Sequence, residues 1–341
     1  MMDKTDLSKD RADNGVGDCP VFVVGSSRSG TTLMYSILLS SGEFAVYEAE
    51  TLLLDVCSRK YGNLSREKNY DRFIGDWLQS KQFYRSMLDA KLFKKEARFH
   101  CSSYTDLLKF FMGKIAVNQG KKRWAEQTPG HLFYMDILAE EFPNAKFIHV
   151  IRDGRDVALS RRKLGWTGSR SKNPLINLLS AALCWELCVE YGRVFAKKNG
   201  NNYLEIKYEE LVLDLDGTLM KLNKSLDIII DREKMKKCKL GSLKKGNTVF
   251  DDNMQGISDK GVGRWRSEFN EVEKAALNIA IGRTLKRLGY EIKGASDTTL
   301  FSLKIKLYTE FYRFFLALKR FSLQYTFLGR FSSDSLEIGS K

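Results

Sequence analysis

The chain has 341 residues, of which 43% are hydrophobic, and its formal net charge is +14. This length and composition predict one large α/β domain with a buried core, and they exclude a low-complexity or internally repeated chain. The excess of basic residues indicates a polyanionic partner, either an anionic membrane or a multiply phosphorylated ligand. Nucleic acid is not expected, because no zinc-finger, RRM or helix-turn-helix signature accompanies the charge.

The numbers and spacing of cysteine and histidine indicate the redox state of the protein's cellular compartment and whether a metal site is expected. The six cysteines show no CxxC spacing, which favours a reduced, cytoplasmic protein. Only three histidines are present and none clusters with cysteine, so no metal site is expected. Residues 1–19 are polar, lack the apolar region of a signal peptide and are interpreted as a disordered leader. No run is predicted to span a membrane free of charge.

Apolar patterns and turn residues then predict the elements in chain order. They are strand 21–25, helix 31–41, strand 44–47, a helical insertion over 66–119, helix 132–142, strand 146–151, helix 156–163, helix 175–199, a strand within "NYLEIKYEELV", and helices 216–226 and 271–288. Strands alternating with helices predict a three-layer α/β/α fold with a central parallel sheet, like that of phosphate-loop nucleoside triphosphatases. We assign this domain to residues 20–292.

Residues 293–341 form a basic and aromatic extension beyond that domain. Its segment 299–331 is predicted to form one or two amphipathic helices. Two interpretations remain open for these helices. They pack onto the domain or a dimer partner, or they contact a membrane surface with basic residues on one face and aromatic residues on the other.

The stretch "VFVVGSSRSGTTLMYSIL" (21–38) has the form of a phosphate-binding loop between a strand and a helix. Gly25 and Gly30 have the required spacing, but Thr31 stands where nucleoside-triphosphate loops carry lysine. Backbone N–H groups at a helix N-terminus form an anion site, hydroxyls add donors, and Arg28 adds a planar fork for phosphate or sulfate oxygens. The candidate binding residues of this loop are Ser27, Arg28, Ser29, Gly30, Thr31 and Thr32.

A second block, "FIHVIRDGRDVALS", bears on whether the loop holds a triphosphate. Such a site needs Mg²⁺ held by the loop hydroxyl and by an aspartate at a strand end. Here the strand ends in Arg152, a cation that suits a second phosphate bound directly and without a metal. A phosphate-loop kinase or nucleoside triphosphatase with an altered loop remains the alternative.

Together, "GSSRSGTTL" and "FIHVIRDGRDVALS" resemble the sulfotransferases that use 3′-phosphoadenosine 5′-phosphosulfate (PAPS), in particular the bacterial and tyrosylprotein branches. The resemblance implies that the first loop holds the 5′-phosphosulfate and that Arg152 and Ser160 hold the 3′-phosphate. The segments "YLEIKYEELV" and "DKGVGRWRSEF" also resemble family segments. They imply that Tyr208 lies near the adenine and that Lys260, Gly261 and Arg264 approach the 3′-phosphate.

The same resemblance implies a reaction in which the sulfuryl group moves to an acceptor hydroxyl by in-line displacement. Such a transfer needs a general base and positive charge at the leaving oxygen. Arg28 is the candidate for the charge. Glu48, which follows the second strand as in the tyrosylprotein branch, is the candidate base, with Glu50 and His131 as alternatives.

One departure from the family concerns the residue before "TP". That branch often has a lysine there, whereas this chain has Gln127. Either Arg28 carries the charge alone, or the role of the lysine has moved, for instance to Lys122 or Arg123.

The sequence does not identify the acceptor: a lipid, a glycan, a small molecule and a tyrosine peptide all remain open. The segments 50–120 and 164–180 are expected to shape its pocket, and the amphipathic tail favours a lipid or another amphipathic acceptor.

Overall fold

The computed structural model describes residues 19–169, 171–237, 257–292 and 299–326. The predicted leader therefore lies outside the described residues, apart from Cys19 at its end. The far end of the predicted C-terminal extension, from residue 327 onward, also lies outside them.

Five parallel strands form the centre of the fold. They are β1 (Val21–Gly25), β2 (Phe44–Ala45), β3 (Arg123–Glu126), β4 (Lys146–Ile151) and β5 (Tyr203–Lys207). Their order in the sheet is β2-β3-β1-β4-β5, and every adjacent pair is parallel. The predicted parallel sheet is confirmed, although β3 was not predicted. Its sequence RWAE carries a charge at each end and does not read as a buried strand.

Helices cover both faces of this sheet. They are α1 (Thr31–Leu39), α2 (Ser58–Tyr61), α3 (Glu67–Leu78), α4 (Lys81–Tyr84), α5 (Ala90–His100), α6 (Tyr104–Asn118), α7 (Met135–Glu141), α8 (Gly154–Lys163), α9 (Pro174–Asn199), α10 (Tyr208–Leu213), α11 (Leu215–Leu226), α12 (Arg232–Lys237), α13 (Trp265–Glu268), α14 (Glu271–Arg287) and α15 (Thr299–Tyr325). A π-helical turn (Leu53–Cys57) precedes α2, and a 3₁₀ segment (Pro129–Tyr134) precedes α7. The three-layer α/β/α fold is thus confirmed, and the predicted insertion between β2 and β3 is helical.

The alternation of side chains along β1 explains how the layers attach. Val21 and Val23 pack with α1 and α11 on one face, while Phe22 and Val24 pack with the helical insertion on the other. All four are fully buried. A strand buried on both faces belongs in the middle of a parallel sheet. The phosphate loop that follows β1 therefore emerges at the centre of the sheet edge.

The C-terminal helix α15 packs onto the domain through α9 and α14. Ile305, Tyr312 and Leu316 are buried in the same apolar cluster as residues of those two helices. The Tyr308 and Ser180 hydroxyls lie 2.7 Å apart, and Arg313 Nε donates to Glu186 Oε2 at 2.9 Å. The described part of the predicted tail is therefore one helix that is anchored to the domain.

Helix α9 bears on the sequence-based expectation that no segment spans a membrane. Among the described residues, the stretch Pro174–Asn202 is long and apolar enough to do so by length and composition, with a mean hydropathy of 1.2. However, 61% of that window is buried inside the protein. Its buried residues pack against α8 and α14, which is the behaviour of a core helix.

The tight turn between β4 and α8 yields a test of this packing. A Cβ added at Gly154 would lie 2.4 Å from the fully buried ring of Trp185. We expect Gly154→Ala to lower the free energy of unfolding by about 1–3 kcal/mol, because overpacking forces the ring or the turn to move. Urea unfolding would measure the change.

Gly113→Ala is the matched control, because it lies inside α6 and nothing stands within 4 Å of its added Cβ. The helix propensity of alanine should leave this variant unchanged or stabilise it by up to about 1 kcal/mol. Equal unfolding free energies for the two variants would contradict the close packing of α8 on α9.

Candidate active site

The phosphate loop occupies residues 26–30, between the end of β1 and the start of α1. Its backbone is left-handed at Arg28 (φ 77°) and at Gly30 (φ 97°), the residue that caps α1. A side chain at Gly30 would collide with the ring of Tyr208, 2.5 Å from the added Cβ. Ser29 is fully buried, and its hydroxyl has no hydrogen-bond partner among the described residues. The loop is thus shaped to present backbone and hydroxyl donors to an anion.

The predicted 3′-phosphate residues come together beside this loop. Arg28 Nε donates to Ser160 Oγ at 3.0 Å, although the two residues are 132 positions apart. Arg152 donates from Nη1 to the Arg28 carbonyl oxygen at 3.2 Å. Burial lowers the pKa of Arg28, and the positive charge of Arg152 lowers it further. Two guanidinium groups held this close favour an anion between or beside them.

Tyr208 and Gly261 complete the cluster. The guanidinium of Arg152 lies 4.5 Å from the centre of the Tyr208 ring and donates to the Gly261 carbonyl oxygen. Arg152 Nε is buried without a hydrogen-bond partner among the described residues. The structure therefore brings Arg28, Arg152, Ser160, Tyr208 and Gly261 into one group, and their contacts with a ligand stay predictions.

Two carboxylates of the "RDGRD" motif hold the surrounding segments in place. Asp156 accepts hydrogen bonds from the backbone N–H groups of Gly263, at 2.7 Å, and Trp265, at 2.9 Å. Asp153 pairs with Arg155 at 2.8 Å, and the Arg155 guanidinium lies 3.7 Å from the centre of the buried Trp265 ring. The segment 259–265 is thereby fixed against α8, next to Arg152.

The other two residues predicted for the 3′-phosphate are Arg264 and Lys260. Arg264 donates to Glu268 Oε1 at 2.8 Å, one helical turn further on. Lys260 is exposed. Their predicted contact with a phosphate stays a prediction.

The candidate bases, Glu48 and Glu50, lie in different surroundings. Glu48 is at the surface, with its carboxylate 3.6 Å from the Arg85 guanidinium. Glu50 faces a group of carboxylates. Although solvent reaches its side chain, the surrounding protein raises the pKa of Glu50 to about 7, and the charges of Asp55 and Glu126 add to this shift.

Gln127 connects this acidic group to the phosphate loop. Its Nε2 donates to Thr31 Oγ1 at 3.2 Å, and it also hydrogen bonds to Glu50. By the resemblance, a lysine is expected at this position, whereas Gln127 brings no charge. Arg123 cannot take over that role, because it lies at the opposite end of β3, where it donates to the Leu226 carbonyl oxygen at 3.1 Å. Lys122 precedes the same end of the strand.

The third candidate base, His131, is part of a buried network. It is fully buried, and its Nδ1 lies 2.9 Å from Glu126 Oε2. Thr51 and Thr128 donate their hydroxyls to the other oxygen of Glu126. Burial alone would lower the pKa of His131, but the charge of Glu126 raises it. Burial alone would raise the pKa of Glu126, but His131 and the hydroxyl donors lower it.

This ion pair positions the chain on either side of Gln127. Thr51 belongs to the segment after Glu50, whereas Thr128 and His131 belong to the segment after β3. A buried charge pair whose carboxylate also accepts two hydroxyl hydrogen bonds holds such segments in register. The structure therefore places His131 in the scaffold of the site rather than at its surface.

A cavity of about 330 Å³ opens beside the loop. It is lined by Gly25 and Ser27 of the loop, by residues around the 3₁₀ segment Pro129–Tyr134, and by residues of α9 and α15. Sequence reasoning did not assign any part of α15 to the site. The cavity also contains Asp55, whose carboxylate is one of the groups that raise the pKa of Glu50.

A metal site needs several ligating side chains that lie close together. Across residues 19–169, 171–237, 257–292 and 299–326, no group of three or more histidine, cysteine, aspartate or glutamate side chains is placed to hold a metal ion.

Comparison with known structures identifies the class of fold. The sulfotransferase domain of the Synechococcus PCC 7002 olefin synthase superimposes with a TM-score of 0.55 at 20% identity, covering 82% of this chain and 97% of that domain. The sulfotransferase domain from the curacin biosynthetic pathway gives a TM-score of 0.54 at 18% identity, covering 80% and 98%. The fold is that of a sulfotransferase.

Sequence comparison gives the family. A family model described as the sulfotransferase family matches residues 20–232. The chain therefore belongs to the sulfotransferase family. It is also 24% identical over 300 residues to protein-tyrosine sulfotransferase A of Caenorhabditis elegans, covering 84% of this chain and 71% of that relative.

Proposed function

We propose that the protein transfers a sulfuryl group from PAPS to an acceptor hydroxyl. The observation that carries the proposal is the cluster of Arg28, Arg152 and Ser160 beside a phosphate loop that lacks lysine. It offers a second anion site where a nucleoside triphosphatase would need an aspartate and Mg²⁺. Membership of the sulfotransferase family supports the same conclusion.

The residues present fit a ligand with two anionic ends. The Ser29 hydroxyl, in the phosphate loop, and Arg152 Nε, after β4, are both buried without a hydrogen-bond partner among the described residues. Buried polar atoms normally have hydrogen-bond partners, so we expect a bound ligand to supply the partners of these two atoms. Residues 27–32 would hold the 5′-phosphosulfate, whereas Arg152, Ser160 and Gly261 would hold the 3′-phosphate. Tyr208 would lie by the adenine, and Lys260 and Arg264 would have to move toward the 3′-phosphate.

When bound, PAPS would supply the sulfuryl group, whose sulfur forms a bond to the acceptor oxygen as its bond to the 5′-phosphate oxygen breaks. The chain must remove the hydroxyl proton, and we propose Glu50 rather than Glu48 as the base. A carboxylate with a pKa near 7 is a far better proton acceptor at neutral pH than one at its ordinary value. Gln127 links Glu50 to Thr31 of the loop, whereas Glu48 is turned toward Arg85.

The positive charge needed at the leaving oxygen would come from Arg28. Its backbone lies in the loop, and its side chain donates to Ser160, while the like charge of the nearby Arg152 favours an anion beside the two guanidinium groups. Gln127 would add a neutral hydrogen-bond donor. A hydroxyl acceptor is consistent with the similarity to a protein-tyrosine sulfotransferase.

Ligand binding tests the donor assignment. We expect the protein to bind adenosine 3′,5′-bisphosphate without metal, and Arg152→Ala to weaken that binding by about 10- to 100-fold, since a hydrogen bond to a charged group contributes about 1.5–3 kcal/mol. Isothermal titration calorimetry would measure it. Arg193→Ala is the control, because Arg193 pairs with Glu205 on the surface of the domain. Tight, Mg²⁺-dependent binding of ATP would favour the kinase alternative instead.

Measurements of kcat test the assignment of Glu50 as the general base. We expect Glu50→Gln to lower kcat by about 10²- to 10⁴-fold, the usual contribution of a general base, while the affinity for adenosine 3′,5′-bisphosphate stays unchanged. Glu48→Gln is the matched control and should keep turnover. A loss in Glu48→Gln alone would restore the original assignment to Glu48.

The raised pKa of Glu50 also predicts a pH profile. Below a pH of about 7 the carboxyl group is protonated and cannot accept a proton, so kcat/KM of the unmodified protein should fall as pH drops through that value. The residual activity of Glu50→Gln should lack this limb of the profile.

A further inference from the structure

We propose that the acceptor carries an anionic group, a carboxylate or a phosphate, in addition to its hydroxyl, and binds in the cavity between the phosphate loop and α15. This inference rests on the proposed sulfuryl transfer and names the class of acceptor for it. It assigns α15, which lies beyond the stretch matched by the family model, a direct part in acceptor recognition.

The position of the cavity suits an acceptor rather than the donor. It shares Gly25 and Ser27 with the phosphate loop and reaches Asp55, a close neighbour of the proposed base. The residues proposed for the 3′-phosphate and adenine, Arg152 and Tyr208, are not part of its lining. An acceptor in this cavity would therefore approach the loop from the side on which Glu50 lies.

The charges of the lining are strongly unbalanced. Four cations line the cavity, namely Arg59, Arg161, Lys319 and Arg320, against one carboxylate, Asp55. In the part of the chain that the structure describes, Arg161, Lys319 and Arg320 form no ion pair with a carboxylate. Arg161 Nε donates instead to the Trp166 carbonyl oxygen at 2.9 Å. An excess of cations around a partly enclosed cavity favours an anionic ligand.

Arg320 is the most constrained of these cations. Its guanidinium carbon lies 3.4 Å from the centre of the Phe133 ring and 5.3 Å from that of Tyr191. Its Nε is buried without a hydrogen-bond partner among the described residues, and burial lowers its pKa. Burying a guanidinium costs solvation free energy, which the contacts with the two rings offset only in part and which a bound anion would offset further.

The remaining lining indicates the size and polarity of the rest of the ligand. Apolar side chains contribute much of the wall: Phe133, Tyr134, Leu187, Leu316 and Leu323. A cavity of about 330 Å³ is at the lower end of small-molecule sites. The acceptor we infer is therefore a small amphipathic compound with an apolar body, a hydroxyl at one end and an anionic group at the other.

The test uses acceptor probes that differ in charge. They are 3-(4-hydroxyphenyl)propanoate, its uncharged methyl ester, and 2-(4-hydroxyphenyl)ethyl phosphate. Binding to the protein saturated with adenosine 3′,5′-bisphosphate would be measured by calorimetry, and sulfation from PAPS would be measured in parallel. We expect at least one anion to bind about tenfold or more tightly than the ester, as for a charge-assisted hydrogen bond, and the better anion distinguishes carboxylate from phosphate.

Substitution of the cations that line the cavity tests whether they cause the preference for anionic probes over the ester. Lys319→Gln and Arg320→Gln should each reduce the preference for the anion, whereas Lys306→Gln, an exposed position on the same helix outside the cavity, should keep it. Equal affinity for anions and ester, no binding of any anion, or a preference that survives both cavity variants would overturn the inference. If adenosine 3′,5′-bisphosphate does not bind and no probe is sulfated, the proposed function itself fails.

The outward face of α15 carries an independent inference. We infer that it lies on an anionic lipid surface. Seven large apolar side chains recur there every three or four residues and are exposed: Leu300, Leu303, Leu307, Phe311, Phe314, Leu318 and Phe321. We call these seven residues the outer stripe. The opposite face is the one buried on α9 and α14.

The charges beside the outer stripe favour lipid over a second copy of the chain. Exposed lysines border it at 304 and 306, and the only acidic residue of α15, Glu310, is paired with Arg313 at 2.6 Å. Lysines beside an apolar face suit the headgroups of an anionic bilayer. Two copies packed through this stripe would instead bring lysine close to lysine, which is unfavourable.

Vesicle sedimentation tests this surface with the full chain. We expect binding to vesicles of phosphatidylcholine and phosphatidylserine, weaker binding to phosphatidylcholine alone, and a loss of about tenfold or more in Phe314→Ser, since burying a phenylalanine side chain contributes about 1.5–3 kcal/mol. Met220→Ser, an exposed apolar position elsewhere on the domain, is the control. Absence of vesicle binding would overturn the inference. A dimer in analytical ultracentrifugation that Phe314→Ser abolishes would also overturn it and identify a second copy as the occupant.

Discussion

The guanidinium of Arg152 joins three segments that are far apart in the sequence. It donates to the carbonyl oxygen of Arg28 in the phosphate loop and to that of Gly261 in the late segment, and it lies over the ring of Tyr208 at the end of β5. Because β1, β4 and β5 are adjacent and parallel, their carboxyl ends meet at one edge. The rest of the proposed donor site depends on this convergence.

Glycine is required where these segments approach most closely. A Cβ at Gly25 would lie 2.6 Å from the Val150 carbonyl oxygen, and a Cβ at Gly30 would lie 2.5 Å from the Tyr208 ring. Both glycines also have positive φ angles, which residues with side chains rarely adopt. The glycine spacing that looks like a nucleotide-loop motif is thus equally a packing requirement between neighbouring strand ends.

Electrostatics divides the site into two halves. On one side of the loop, Arg28 and Arg152 form a positive group that suits the phosphates of the donor. On the other side, Glu50, Asp55 and Glu126 raise one another's cost of ionisation, and the charge of His131, which pairs directly with Glu126, partly offsets this cost. The pKa of Glu50 is raised to about 7 first by desolvation in the surrounding protein and then by the charges of these neighbouring carboxylates. The cations of the cavity wall then supply charge of the opposite sign for an acceptor.

The sequence by itself determined the fold, and it predicted the residues proposed for the donor half of the site. Three patterns can be recognised in the sequence without knowledge of the tertiary structure. They are the apolar strands, the glycines at a strand end and the arginine that follows "FIHVI". The clustering of Arg28, Arg152 and Ser160 followed because parallel strands bring their carboxyl ends together. The sequence pattern did not predict strand β3, because this strand has only four residues and a charged residue at each end.

Only the tertiary structure decided the acceptor half. Glu48 and Glu50 lie two residues apart, and nothing in their local sequence distinguishes them. Their surroundings differ because Glu48 meets Arg85 at the surface, whereas Glu50 meets carboxylates and Gln127 from other segments. In the same way, the position of α15 against the cavity depends on packing with α9 and α14. Desolvation and long-range contacts are properties of the folded chain, so sequence patterns alone do not specify them.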